Sequence, residues 1–146
     1  MLREPVVAFS PWHPWNRRHD LKTADNLPWG GVYLLAHFPS VPGPTEVPWP
    51  ELPEEIVYIG STKNLNDRPL TTHNRIPRYV KLFGDPTLER LCVSVFPVFC
   101  TGGRDEKLLR SYIQYLEAKL DWDYTRKYEK RPAMHFKEAS SAESVG

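Results

Sequence analysis

No sign of charge dominates this chain. Nineteen Lys and Arg meet 18 Asp and Glu over 146 residues, a net +1, which excludes a uniformly basic nucleic-acid coat and confines any electrostatic partner to a local patch. Cysteine is scarce. Cys92 and Cys100 are too few for a disulfide scaffold and lack the paired Cys or His neighbours of a zinc site, so both read as buried free thiols. No apolar run approaches the roughly 20 residues of a membrane-spanning helix. The opening MLREPVVAFSPW is cut by charge and proline before a secretory core could form, so the expectation is a soluble, cytoplasmic or other intracellular protein with no membrane partner.

Proline, by contrast, is abundant: 15 residues, about twice the usual share of roughly 5%. Pro39, Pro42, Pro44, Pro48, Pro50 and Pro53 crowd one short stretch, which reads as a stiff surface insertion over 39–55 because each removes a donor and fixes φ. Trp49 is its candidate docking side chain. Residues 1–30, with Trp12, Trp15 and Trp29, read as an irregular arm packed on a single domain beginning at Gly31. The last residues, 139–146, carry no core-forming pattern and read as a flexible tail.

Within that domain, Val32–Phe38, Ile56–Gly60 and Leu91–Phe99 are β-branched and aromatic enough for strands, Pro97 placing the third at an edge or a bulge. Leu109, Ile113, Leu116 and Leu120 recur at helical intervals, with Asp105 and Glu106 where a helix dipole favours acid. Residues from Asn64 to about Phe83 read as helix in pieces, interrupted by Pro69 and Pro77. The predicted fold class is α/β (α+β): a small, mostly antiparallel sheet of three strands flanked by helices.

Two tyrosine motifs mark neighbouring predicted strands: Gly31-Val32-Tyr33, and Tyr58-Ile59-Gly60 followed by Ser61-Thr62-Lys63-Asn64-Leu65 and Arg68. In their order, with a third strand and a helix bearing Glu117, they resemble the GIY-YIG nuclease family over residues 31 to about 136. The family's histidine one turn past the arginine falls at Thr72, beside His73, and its late asparagine is matched by His135 after Pro132.

The resemblance implies a GIY-YIG-like fold and a metal-dependent endonuclease acting on DNA. By it, Tyr58 is the favoured base with Tyr33 its partner, Arg68 binds the scissile phosphate, and Glu117 holds one Mg²⁺ or Mn²⁺. Lys63, His73 and His135 support them.

The chemistry requires these types. Phosphodiester hydrolysis needs an activated water, a cation at the developing charge and a hard Lewis acid, and tyrosine, with a free pKa of about 10, serves as a base only where positive charge crowds it. Glu117 flanks the apolar stripe of its helix, where a carboxylate can look into a cleft.

Charge segregates accordingly. Lys63, Arg68, Arg75, Arg78 and Lys81 oppose only Asp67, a net +4, and Lys119, Arg126, Lys127, Lys130, Arg131 and Lys137 oppose three acids, a net +3. Lys63, Arg68, Arg75, Arg78, Lys81, Arg126, Lys127, Lys130 and Arg131 are therefore the candidate backbone contacts. A binding module without turnover on the same fold, or a protein-interaction domain docking through the Trp- and Pro-rich arm, are the competing expectations. The sequence leaves the oligomeric state open.

Overall fold

The structure is a computed structural model that describes residues 8–21, 29–40, 47–48, 51–70, 73–100 and 105–134. In chain order its elements are β1 (Ala8–Phe9), β2 (His13–Pro14), a 3₁₀ segment (Trp15–Leu21), β3 (Trp29–His37), β4 (Val47–Pro48), β5 (Ile56–Thr62), α1 (Ile76–Phe83), β6 (Leu91–Cys100) and α2 (Glu106–Tyr128). It is an α+β architecture. The main sheet is antiparallel in the order β2-β6-β3-β5, and β1 pairs with β4 in a separate two-stranded ladder.

The central strand β3 carries the core. Its Val32–Ala36 run is fully buried, because a strand covered on both faces needs apolar residues at every position rather than at alternate ones. Val32, Leu34 and Ala36 point to one face with Ile56, Ile59 and Cys92, where Ile113, Leu116, Leu120 and Tyr124 of α2 cover them. Tyr33 and Leu35 point to the other with Val93 and Val95, under Tyr79 of α1, Leu65, Leu70 and Met134.

Three expectations are corrected. The sheet has four strands, not three: the arm contributes β2, whose His13 and Pro14 pair with Val93 and Cys92. Phe9, Trp12 and Trp15 of that arm are buried, and the sheet begins at Trp29, ahead of Gly31. Second, residues 65–70 are turns rather than helix. Pro77 lies in the first turn of α1 instead of breaking it, where its missing N–H costs nothing. Gly84 closes α1 at φ 63°, a left-handed turn that only glycine adopts freely. Third, the proline-rich insertion is not wholly a surface loop. Leu52 is fully buried, and its carbonyl accepts hydrogen bonds from Tyr128 Oη and, at 3.3 Å, from Lys127 Nζ.

The strand bulge foreseen at Pro97 is present: the β3–β6 register slips between Gly30, opposite Phe99, and Gly31, opposite Pro97. Cys92 is buried as expected, and burial pushes its thiol up to about 11. The side chain of Cys100, Trp49, His135, the turn at 101–103 and the tail lie outside the described residues. Among the described residues no helix is long and apolar enough to cross a membrane.

Candidate active site

Strand register decides which residues meet. In the β3–β5 ladder Tyr33 stands opposite Gly60 and Leu35 opposite Tyr58, so alternation puts Tyr33, Tyr58 and Gly60 on one face. The tyrosine rings lie 6.0 Å apart, centroid to centroid, tilted by 30°. Gly60 makes the arrangement possible. A Cβ at position 60 would fall 2.6 Å from both Cζ and Oη of Tyr33 and 2.8 Å from Cε2 of Tyr58.

His73 closes this pair from the segment before α1. Its ring meets Tyr33 and Tyr58 edge-on at 5.6 and 5.0 Å. Nε2 lies 2.9 Å from Tyr33 Oη, while Nδ1 accepts the backbone N–H of Arg75 at 3.1 Å. An Nδ1 that accepts leaves the imidazole proton on Nε2, so His73 donates to Tyr33. Burial, reinforced by the charges of Arg68 and Arg75, holds the imidazole neutral, its pKa down to about 3.

Arg68 reaches both tyrosine side chains by hydrogen bonds, and its Nη2 donates to Asn74 Oδ1 at 3.1 Å. Its buried Nε has no partner among the described residues. Arg68 does not open a helix as expected. It lies in the 65–70 turns, its N–H on Asn64 O at 3.0 Å and its peptide to Pro69 cis; the residue before a proline is disfavoured in the helical region. Arg75 places its guanidinium 5.4 Å from the Tyr58 ring centroid and donates to Met134 O at 3.2 Å.

These contacts set the state of Tyr33. Burial raises its pKa and the neighbouring Tyr58 raises it further; the charge and hydrogen bond of Arg68 oppose this without reversing it. Tyr33 is thus a neutral phenol at physiological pH, its oxygen accepting from His73 and Arg68, with its own proton left to donate. Tyr58 is half-buried, where Tyr33 is sealed at 1% exposure. Solvent therefore reaches the second tyrosine of the pair.

Glu117 approaches from the other side of the sheet. Its Oε1 accepts the hydroxyl proton of Ser61, the neighbour of Gly60 on edge strand β5, and its charge is felt at Tyr33. The site therefore wraps around the end of β5, two tyrosines, His73 and Arg68 on one face and the carboxylate coming round from the other.

The structure does not gather every candidate here. Lys63 is exposed just after β5, and Lys81 and Arg78 lie on α1, Lys81 exposed and Arg78 half-buried. The second basic segment turns largely away. Lys130 pairs with Glu54 at 3.0 Å, Arg131 with Asp121 at 2.8 Å and Lys127 with Leu52 O, all at or near the segment that enters β5, the end opposite Gly60. Arg126 is exposed on α2. Tyr124 and Tyr128 serve packing, their hydroxyls donating to the carbonyls of Glu54 and Leu52.

Residues the sequence did not single out complete the picture. Gly60 and Ser61 were visible only as letters of the second motif and were given no role, and Asn74 carried no signal. A second polar chain, equally unannounced, joins His37, Tyr79 and Asp85. Tyr79 donates to Asp85 Oδ2 at 2.7 Å, and His37 Nδ1, 2.8 Å from Tyr79 Oη, donates in turn. Asp85 also accepts the backbone N–H groups of Glu89 and Arg90.

No family model, no curated protein and no solved structure matches this chain.

Proposed function

We propose that this chain is a metal-dependent endonuclease that hydrolyses DNA phosphodiester bonds through a GIY-YIG-type site. The observation that carries the reading is the clustering of Tyr33, Tyr58, His73 and Arg68 on one face of β3 and β5, with Glu117 at its rim. Two tyrosines in a core are usually packing residues. Here they converge with a neutral histidine, a guanidinium bearing an unused buried donor, and a carboxylate.

Each residue has work to do in phosphodiester hydrolysis. Arg68 donates from its partly exposed guanidinium to the non-bridging oxygens of the scissile phosphate, where charge builds in the transition state, and Tyr33, buried beside Tyr58 and hydrogen-bonded to Arg68, positions both. His73 holds Tyr33 in place by donating to its Oη. Tyr58, half-open to solvent between Arg68 and Arg75, is the base. It takes a proton from water as the water oxygen bonds to phosphorus, the ester bond to the leaving oxygen breaks, and that oxygen is protonated from solvent.

Glu117 suits a hard divalent cation. Among the described residues no three His, Cys, Asp or Glu gather, and a single carboxylate beside the Ser61 hydroxyl fits Mg²⁺, or Mn²⁺ in its place, which retains several waters and takes one or two carboxylates plus phosphate oxygens. When bound, the cation would stabilise the leaving oxygen as a Lewis acid.

The test is conversion of supercoiled plasmid to open circle with Mg²⁺ or Mn²⁺, run beside Tyr58→Phe and Glu117→Ala. Metal-dependent nicking lost in both variants supports the enzyme. Salt-sensitive DNA binding without nicking, indifferent to Glu117, assigns the fold to a binding module instead.

A further inference from the structure

α2 is apolar on two opposite faces. One covers the sheet through Ile113, Leu116, Leu120 and Tyr124. Directly across the helix, Leu108, Tyr115 and Trp122 stand 70%, 48% and 62% exposed, seven residues apart. Three residues after each come Ser111, Ala118 and Thr125, which keeps the intervals alternating between three and four. None of the nine charged residues of α2 falls on this six-residue stripe. It is a heptad seam with the large side chain at every first position and a small one at every fourth.

That size alternation selects its partner. In an antiparallel pair of helices the first position of one faces the fourth of the other. For two copies of α2 the facing pairs are then Leu108 with Thr125, Tyr115 with Ala118 and Trp122 with Ser111. All three mirror about a single point between Leu116 and Glu117, so one two-fold axis satisfies them together, each bulky residue entering the gap left by a small one. A self-complementary patch is the requirement of a two-fold homodimer. Tyr115 is also held ready for contact: it stacks on Tyr112 at 6.2 Å and 25°, which reduces the rotamer freedom lost on docking.

We propose that this face of α2 is the contact surface of a two-fold homodimer in which the helices pair antiparallel about the Leu116–Glu117 midpoint. A seam of about two and a half heptads, roughly five helical turns, falls at the small end of interface sizes, so the association is concentration-dependent rather than permanent. The proposal stands independently of the endonuclease reading. If both hold, pairing sets the two Glu117 residues at one level along the dimer, giving it a second active site with which both strands could be cut without two successive nicks.

The experiment is sedimentation velocity across a micromolar concentration series of the full chain, with Trp122→Glu and Leu108→Glu, together with oxidative cross-linking of Ala118→Cys and Ser111→Cys in a Cys100→Ser background. Across the proposed axis the two Ala118 positions are offset by about 4.5 Å along the helices and the two Ser111 positions by about 16 Å, at about 1.5 Å rise per residue. Only the former is within disulfide reach. Expected are a dimer that grows with concentration and is lost in both Glu variants, and covalent dimer from Ala118→Cys alone. A monomer at every concentration, a dimer that survives both Glu variants, or equal cross-linking at Ser111, the mark of parallel helices, overturns the proposal. Circular dichroism of the Glu variants separates lost pairing from lost folding.

Discussion

Tyr33 lies across the β3–β5 ladder from Gly60, and its ring fills the space that any side chain at position 60 would need. The close approach turns a buried aromatic into part of a site: it carries Oη over the edge strand toward His73 and Arg68, within reach of the field of Glu117.

Gly60→Ala is therefore expected to act on the tyrosine pair directly. The added methyl meets two rigid rings below 3 Å, which costs on the order of 1–3 kcal/mol as overpacking and displaces Tyr33 from His73. Chemical denaturation and a nicking assay check it together. A variant with wild-type stability and activity would show that the rings need no such gap.

Acid should destabilise the fold through His73 first. Its pKa is depressed from 6.5 to about 3, so the folded state binds its proton less readily than the unfolded chain; the stability this contributes is full above about 6.5 and is lost as pH falls toward 3. His37, lowered by burial, acts in the same direction. For Asp85, burial would raise the carboxyl, but the hydrogen bonds from Tyr79 and the Arg90 and Glu89 N–H groups outweigh it and hold it below 3.8, so its contribution fades only at lower pH. One such proton gives a slope of up to about 1.4 kcal/mol per pH unit. Denaturation midpoints between pH 7.5 and 5 should fall, and His73→Gln should flatten that fall; an unchanged slope in the variant contradicts the assignment.

The proline-rich insertion divides at its end. Leu52 is a core residue held under Tyr128, so Leu52→Ala should cost about 2–5 kcal/mol. Deleting Pro42 to Glu51 also removes β4, the partner of β1, and should cost more than trimming an unpaired loop. Thermal melts of the two variants check both; a Leu52→Ala protein with the wild-type transition would contradict its place in the core.

Much of this architecture was legible because the relevant signals are local. The runs VYLLA and IVYIG are unmistakable strands, and the stripe from Leu109 to Leu120 fixes the buried face of α2. The pairing of Tyr33 with Tyr58 followed from two motifs on adjacent strands. What could not be read is non-local or ambiguous. A two-residue strand such as β2 has no period to detect, and its partners lie some 80 residues away. Pro69 and Pro77 carry the same letter, yet one sits in a run of turns and the other opens α1. The basic residues after α2 read as one patch, whereas Glu54 and Asp121 claim Lys130 and Arg131 at the far end of the sheet.

The central claim, that Tyr58 is the base of a phosphodiester hydrolase, is tested most directly by single-turnover cleavage of an end-labelled DNA duplex with Mg²⁺, comparing the wild-type chain with Tyr58→Phe at matched DNA binding. Loss of a positioned general base predicts binding within a few-fold of wild type and cleavage slower by about 10²–10⁴-fold. Equal cleavage rates in the two proteins, or no cleavage by the wild type under conditions where it binds, would contradict it.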